Sequence, residues 1–210
     1  MSTYVNQNFT KHISGEIKTI VECGSRDCED AIIMVDYYQP NVIYSFECNP
    51  YSVEICKHNS KKRKEIILID KAVSDEDGTL IFHQTDMEKS IDKNIGASSV
   101  LIHHDNKIDF FQKKVEVECV RLETFLKNNN INNVDLLCLD LQGYERFAIN
   151  GLGEYINKTT YIISEVAFRS FYENDILFDE YIKFMNDKGF EMIEFISYGD
   201  FGDALFKKIK

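Results

Sequence analysis

Acidic residues cluster at three places in this chain where an apolar run gives way to a turn. In VECGSRDCED (residues 21–30) Glu22 ends such a run and Gly24 follows it. Glycine permits a sharp turn and lets a ligand come close to the backbone. Gly24, Ser25, Arg26 and Asp27 therefore form a candidate ligand loop, with Glu22 placed to take a cationic or donor group; a plain tight turn is the alternative reading. A G-x-G-x-x-G motif would need three glycines, so a dinucleotide pyrophosphate is poorly supported. Glu47, in FECNP (46–50), lies roughly 20 residues after Gly24, where an acid can accept both hydroxyls of an adenosine ribose. A solvated strand-end carboxylate is the other reading. LDLQGYE (139–145) sets Asp140 at the lip of a third apolar run, with a glycine turn and Glu145 after it. Glu165, inside ISEV (163–166), is an acid in otherwise apolar surroundings, costly unless paired or used. Function and a structural hydrogen bond stand equally open for it.

Positioning these acids requires a regular frame, and the apolar pattern predicts one. Residues 19–23, 42–47, 66–69, 134–140 and 161–166 are short, continuous and rich in β-branched or aromatic side chains. Such runs read as strands buried on both faces, the habit of a parallel sheet. Helical patterns separate them at 27–38, 51–59, 121–128, 145–150 and 178–188, with Pro50 suited to a first turn and Gly189 to a C-terminal cap. Alternating strands and helices predict right-handed βαβ units with helices on both faces. Residues 191–196 and 203–208 are joined by too few residues for a parallel crossover, so they should pair antiparallel. Residues 78–83 and 114–120 read as two further strands, and the polar stretch 84–112 between them as a mobile insert. Ligands of open α/β sheets sit beyond the carboxyl ends of the strands, where the strand order reverses, and the three acidic turns all fall at strand ends.

A net charge of −11 over 210 residues argues against a phosphate backbone or an anionic membrane as partner. The six cysteines form no C-x-x-C pair and mostly sit in or beside apolar runs, where free cysteine acts as a small hydrophobe. The first 18 residues have no apolar core of a signal peptide, and no apolar run is long enough to span a bilayer. These features predict a cytoplasmic protein: an N-terminal extension (1–18) and a single domain (19–210). A homodimer, or one module of a larger polypeptide, is compatible with them.

In order along the chain, VECGSRDCED, YSFECNP, KAVSDEDGTLIF, GASSV, VEVECVRLETFL, VDLLCLDLQGYERFAINGLG, YIISEV and GDALF resemble the FkbM family of methyltransferases over residues 19–206. The resemblance implies a Rossmann-like, seven-stranded, mostly parallel sheet and S-adenosylmethionine as methyl donor to an oxygen. Carried over by position, Gly24 and its neighbours line the methionine and ribose, and Glu47, with Cys48 and Asn49 beside it, holds the ribose hydroxyls. Ala72 and Val73 border the adenine, while Asp140, Leu141 and Gln142 face the transfer centre. Two departures are visible: Cys28 stands where many relatives have a second glycine, and Gln142 where many have glutamate. A hydroxyl is a weak nucleophile, so a base is expected. Asp140 is the first candidate, Glu165 the second and His103, of the His103–His104 pair, the third; solvated surface histidines are the plainer reading of that pair. Ser98 and Ser99 of the insert, with Glu145, are candidate acceptor contacts, and a sugar of a glycan is the expected acceptor. Asp140, Glu145 and Glu165 offer oxygens of the kind Mg²⁺ takes, although their spacing does not require a metal.

Two other classes compete. A nicotinamide-dependent sugar-modifying enzyme would share the sheet but should carry Tyr-x-x-x-Lys; Tyr144 and Tyr155 are followed at the fourth position by Ala148 and Thr159. A non-catalytic S-adenosylmethionine-binding module would show no turnover, and the presence of Asp140 argues against it.

Overall fold

A computed structural model of the chain describes residues 3–91, 93–104 and 111–209. After a 3₁₀ turn (Thr3–Val5) come α1 (Gln7–Thr10), β1 (Thr19–Cys23), α2 (Glu29–Tyr38), β2 (Val42–Glu47), α3 (Pro50–Ser60) and β3 (Ile66–Asp70). The middle holds β4 (Ala72–Ser74), β5 (Gly78–Thr85), a 3₁₀ turn (Ile95–Ala97), β6 (Gln112–Arg121) and α4 (Leu122–Asn128). The last part runs β7 (Val134–Leu139), α5 (Glu145–Gly151), β8 (Thr159–Ala167), α6 (Phe178–Asp187), β9 (Phe190–Ser197) and β10 (Phe201–Lys208).

Seven strands form one sheet in the order β3-β2-β1-β7-β8-β10-β9. The pairs from β3 to β8 are parallel, and β10 is antiparallel to both of its neighbours. The expected hairpin is present, with β10 slotted between β8 and β9. Order reverses between β1 and β7, so the ligand crevice belongs above their carboxyl ends.

Alternation along the central strands explains the two layers of helices. Val21, Cys23, Leu137, Leu139 and Ile162 pack on one face with Leu122 and Leu126 of α4, Ala148 of α5 and Met185 of α6. Their neighbours Ile20, Leu136, Cys138, Tyr161 and Ile163 pack on the other with Ala31 and Met34 of α2 and Cys56 of α3. This second layer also takes Tyr4, Phe9 and Ile17, so the segment before β1 contributes to the core.

The middle segment departs from the sequence pattern. β4, too short to be read from periodicity, pairs parallel with β6, and β5 pairs antiparallel with β6, giving a separate three-stranded sheet. The part of the 84–112 insert that is described is tied to β5: His83 and Ser99 exchange backbone hydrogen bonds, and Thr85 Oγ1 donates to the Asn94 carbonyl. Residues 92 and 105–110 of that insert lie outside the described residues.

At the reversal point the turns after β1 and β7 pass in contact. Gly24 has φ +88°, and a Cβ on it would lie 1.9 Å from the Asp140 carbonyl oxygen. Gly24→Ala combines left-handed strain of about 1–2 kcal/mol with an overpacking cost of about 1–3 kcal/mol. Its thermal midpoint is expected to fall by roughly 4–20 °C. An unchanged midpoint in a melting experiment would show that the two turns can separate freely.

Candidate active site

A cavity of about 850 Å³ opens above the carboxyl ends of β1, β2, β7 and β8, within the size range of small-molecule sites. From the first turn Gly24, Ser25 and Arg26 line it; from the second, Glu47, Cys48 and Asn49; beyond β3, Ala72 and Val73. Asp140, Leu141, Gln142 and Glu145 line it from the end of β7, Glu165 from β8, and Ser98 and His103 from the insert. Most residues singled out from the sequence therefore meet around one space.

Glu22, Asp27 and Ser99 are not among the lining residues. The Glu22 carboxylate turns inward, bonded to the Ser45 hydroxyl, which lies 2.8 Å from the Ser25 hydroxyl. Burial pushes its pKa up to about 8, against the downward pull of these hydroxyls. Asp27 accepts from the Glu29 N–H (3.0 Å) and from Arg26 Nε (3.1 Å), serving the start of α2. Ser99 donates to the Gln142 carbonyl (2.8 Å), pinning the insert onto the turn after β7.

Glu47 is buried and accepts three backbone N–H groups: Arg26 (2.7 Å), Cys48 (2.9 Å) and Asn49 (2.7 Å). Burial raises its pKa while these donors oppose the rise. A carboxylate offers about four lone-pair sites, which leaves capacity for a ligand hydroxyl. Asn49 is held by its own Oδ1, which accepts from Gln84 Nε2 (2.6 Å) and the Tyr51 N–H (3.2 Å). Its Nδ2 is buried and has no hydrogen-bond partner among the described residues.

Around Asp140 the acids are linked. Gln142 Nε2 donates to Asp140 Oδ1 (2.7 Å) and to Glu165 Oε2 (2.9 Å). Asp140 opens onto the cavity, yet the surrounding protein desolvates it and raises its pKa, against Gln142 and the Arg26 charge. Glu165 is held well above the usual carboxylate range by burial and then by Asp140, Glu145 and Asp203. Glu145 is a clamp: it accepts from the N–H groups of Leu141 (2.7 Å) and Gly143 (3.3 Å), and burial pushes it up to about 7. It braces the turn after β7 while also lining the cavity. Among the described residues no group of three His, Cys, Asp or Glu side chains is arranged to hold a metal ion.

The sequence reading missed Phe82, Tyr172 and the 3₁₀ turn Ile95–Ala97, all of which line the cavity. The Tyr172 hydroxyl is shared between Gln142 Oε1 (3.0 Å) and the Ala97 carbonyl (3.1 Å), and its ring meets His103 edge-on at 5.1 Å. These contacts join segments far apart in the chain, for which local spacing carries no signal.

Glu22 and Glu145 both have pKa values raised above the ordinary carboxylate value of 4.5. The folded state therefore binds more protons than the unfolded chain between pH 4.5 and about 8, and stability falls as pH rises through that window. Glu22→Gln keeps a partner for Ser45 and should flatten this fall. Denaturation midpoints from pH 5 to 9 check it; parallel profiles for the two proteins would contradict the buried, proton-holding Glu22.

The Methyltransferase FkbM domain family matches residues 22–192. The 2-O-methyltransferase NoeI of Sinorhizobium fredii (strain NBRC 101917 / NGR234) is 24% identical over 196 residues, which are 91% of this chain and 79% of that protein. Among solved structures, TrmK of M. capricolum with S-adenosyl-homocysteine superposes with a TM-score of 0.55 at 14% identity, covering 100% of this chain and 70% of that one. An rRNA methylase from Streptococcus thermophilus gives 0.55 at 6% identity, covering 97% and 93%. These two share the fold. With the family matched across most of its length and the shared motifs gathered around one cavity, the chain belongs to the FkbM methyltransferase domain family and is a methyltransferase whose methyl donor is S-adenosylmethionine.

Proposed function

We propose that the enzyme methylates an oxygen, the hydroxyl of a polar acceptor and most readily of a sugar in a glycan. The observation that carries this reading is the linked pair Asp140 and Glu165, facing the same cavity as Glu47. A hydroxyl needs a proton acceptor beside it, whereas a more basic amine would not. The name of NoeI, a 2-O-methyltransferase, supports oxygen as the target. The acids around the cavity and the net charge of −11 favour an uncharged acceptor over a nucleic acid.

Gly24, Ser25 and Arg26 would line the methionine and ribose portions of the donor, Glu47 its ribose hydroxyls, and Ala72 and Val73 its adenine. The Asn49 Nδ2, which has no hydrogen-bond partner among the described residues, suits a ligand that offers hydrogen-bond acceptors. When bound, the donor supplies a methyl group on a sulfonium that becomes neutral as the methyl leaves. Alignment of acceptor oxygen and methyl group within the cavity can contribute about 7–11 kcal/mol. Asp140 accepts the hydroxyl proton, Glu165 stands beside it, and Ser98 and His103 border the acceptor from the insert. Ser99 and Glu145 act by holding the walls in place. Among the described residues no helix is long and apolar enough to cross a membrane. All six cysteines are free thiols, which supports a reducing, cytoplasmic setting.

Calorimetric titration should show S-adenosylmethionine and S-adenosyl-homocysteine binding while NAD does not. Glu47→Ala should weaken both by about 10- to 150-fold. With a panel of methyl glycosides and an RNA oligonucleotide as acceptors, Asp140→Asn should lower kcat by about 10²–10⁴ while leaving donor affinity within a few-fold. Turnover confined to the RNA, or tight NAD binding, would overturn the assignment.

A further inference from the structure

Gln142 is built into the site in an unusual way. It adopts φ +53°, a left-handed backbone that a residue other than glycine takes only under constraint, and this turns its side chain toward two acids. One N–H of its carboxamide reaches Asp140 and the other Glu165. The 120° spread of those bonds sets the two carboxylate oxygens roughly 5 Å apart. The amide orientation is not free: Nε2 faces two acceptors, while Oε1 faces the Tyr172 hydroxyl. Turning it over would press its oxygen against both carboxylates.

We propose that Gln142 is a positioning residue for methyl transfer, holding Asp140 and Glu165 as one linked pair that carries a single charge, with Asp140 the charged member presented to the acceptor. Like charges at that spacing do not both form near neutrality. The groups facing the pair decide where the charge rests. Asp140 faces the acids Asp30 of α2, Glu47 of β2, Glu145 of α5 and Asp203 of β10, and, unlike Glu165, it also faces a cation, the Arg26 guanidinium. Glu165 faces Asp140, Glu145 of α5 and Asp203 of β10, and among the described residues no cation acts on it. Tyr4 from the N-terminal segment and Tyr172 add neutral hydroxyls nearby. The charge therefore settles on Asp140 and the proton on Glu165. That Asp140 serves an acceptor hydroxyl rests on the function proposed above; the linked titration does not, and needs neither donor nor acceptor for its test.

The experiment is a carbon-13 NMR titration of protein labelled at the Asp and Glu carboxyl carbons, with Asp140→Asn and Glu165→Gln used to assign the two signals. In the native protein the pair should titrate in two steps separated by more than about one pH unit, Asp140 first. Gln142→Leu, which keeps bulk but no donors, should raise the Asp140 midpoint and narrow the separation. Tyr172→Phe, which only frees the amide to turn, should move both in the same direction by less, and provides the answer if the leucine variant does not fold. Independent midpoints in the native protein, or midpoints unmoved in both folded variants, would overturn the proposal. A failure of donor binding with the linked titration intact would instead count against the methyl-transfer reading.

Discussion

β1 and β7 are the strands from which the sheet grows in opposite directions, and their turns touch where Gly24 meets the Asp140 carbonyl. Backbone bonds extend the contact. The Asp140 N–H donates to the Cys23 carbonyl, and the N–H groups of Gly24 and Ser25 both donate to the Phe46 carbonyl. Glu47 then captures the Arg26 N–H, and Glu145 captures those of Leu141 and Gly143. Three turns that the chain visits at widely separated times are thereby bolted into one surface. The missing side chain at residue 24 makes that surface possible, because any Cβ there would force the β1 and β7 turns apart.

Acids withdrawn from bulk water are costly, and of the five gathered near this crevice Glu22, Glu47 and Glu145 are buried. The protein deals with the five in three ways. Glu47 and Glu145 are satisfied by backbone N–H groups, so their charge or proton is spent on shaping turns. Glu22 is bonded to a hydroxyl and is driven toward the neutral form by burial. Asp140 and Glu165 share one amide and remain open to the cavity. The last arrangement sets the oxygen atoms of two acids side by side on the cavity. Placing two acids on one donor keeps one proton close at hand, which a reaction that must remove a proton from a hydroxyl can use.

Much of the fold was legible because strands buried on both faces have a distinctive composition, and because the short link before β10 forbids a parallel crossover. β4 was not, since three residues show no period, and neither was the small sheet that depends on it. At the site, glycine and acids at strand ends were visible as types in places. Their orientation was not: Glu22 precedes Gly24 by two residues, yet strand alternation and the Ser45 hydroxyl turn it away from the cavity. The sequence offers Ser99 as a hydroxyl for an acceptor, whereas in the fold it donates to the Gln142 carbonyl. Tyr172 had no local signal at all, because its partners Ala97 and Gln142 lie 75 and 30 residues away.

In the proposed function, Glu47 and the Asp140–Gln142–Glu165 group address two parts of one bound nucleoside. A crystal structure with S-adenosyl-homocysteine tests this directly. The ribose hydroxyls should lie within about 3 Å of Glu47, and the sulfur should face Asp140 and Gln142. A nucleoside seated elsewhere, or lying in the cavity with its ribose away from Glu47, would contradict it.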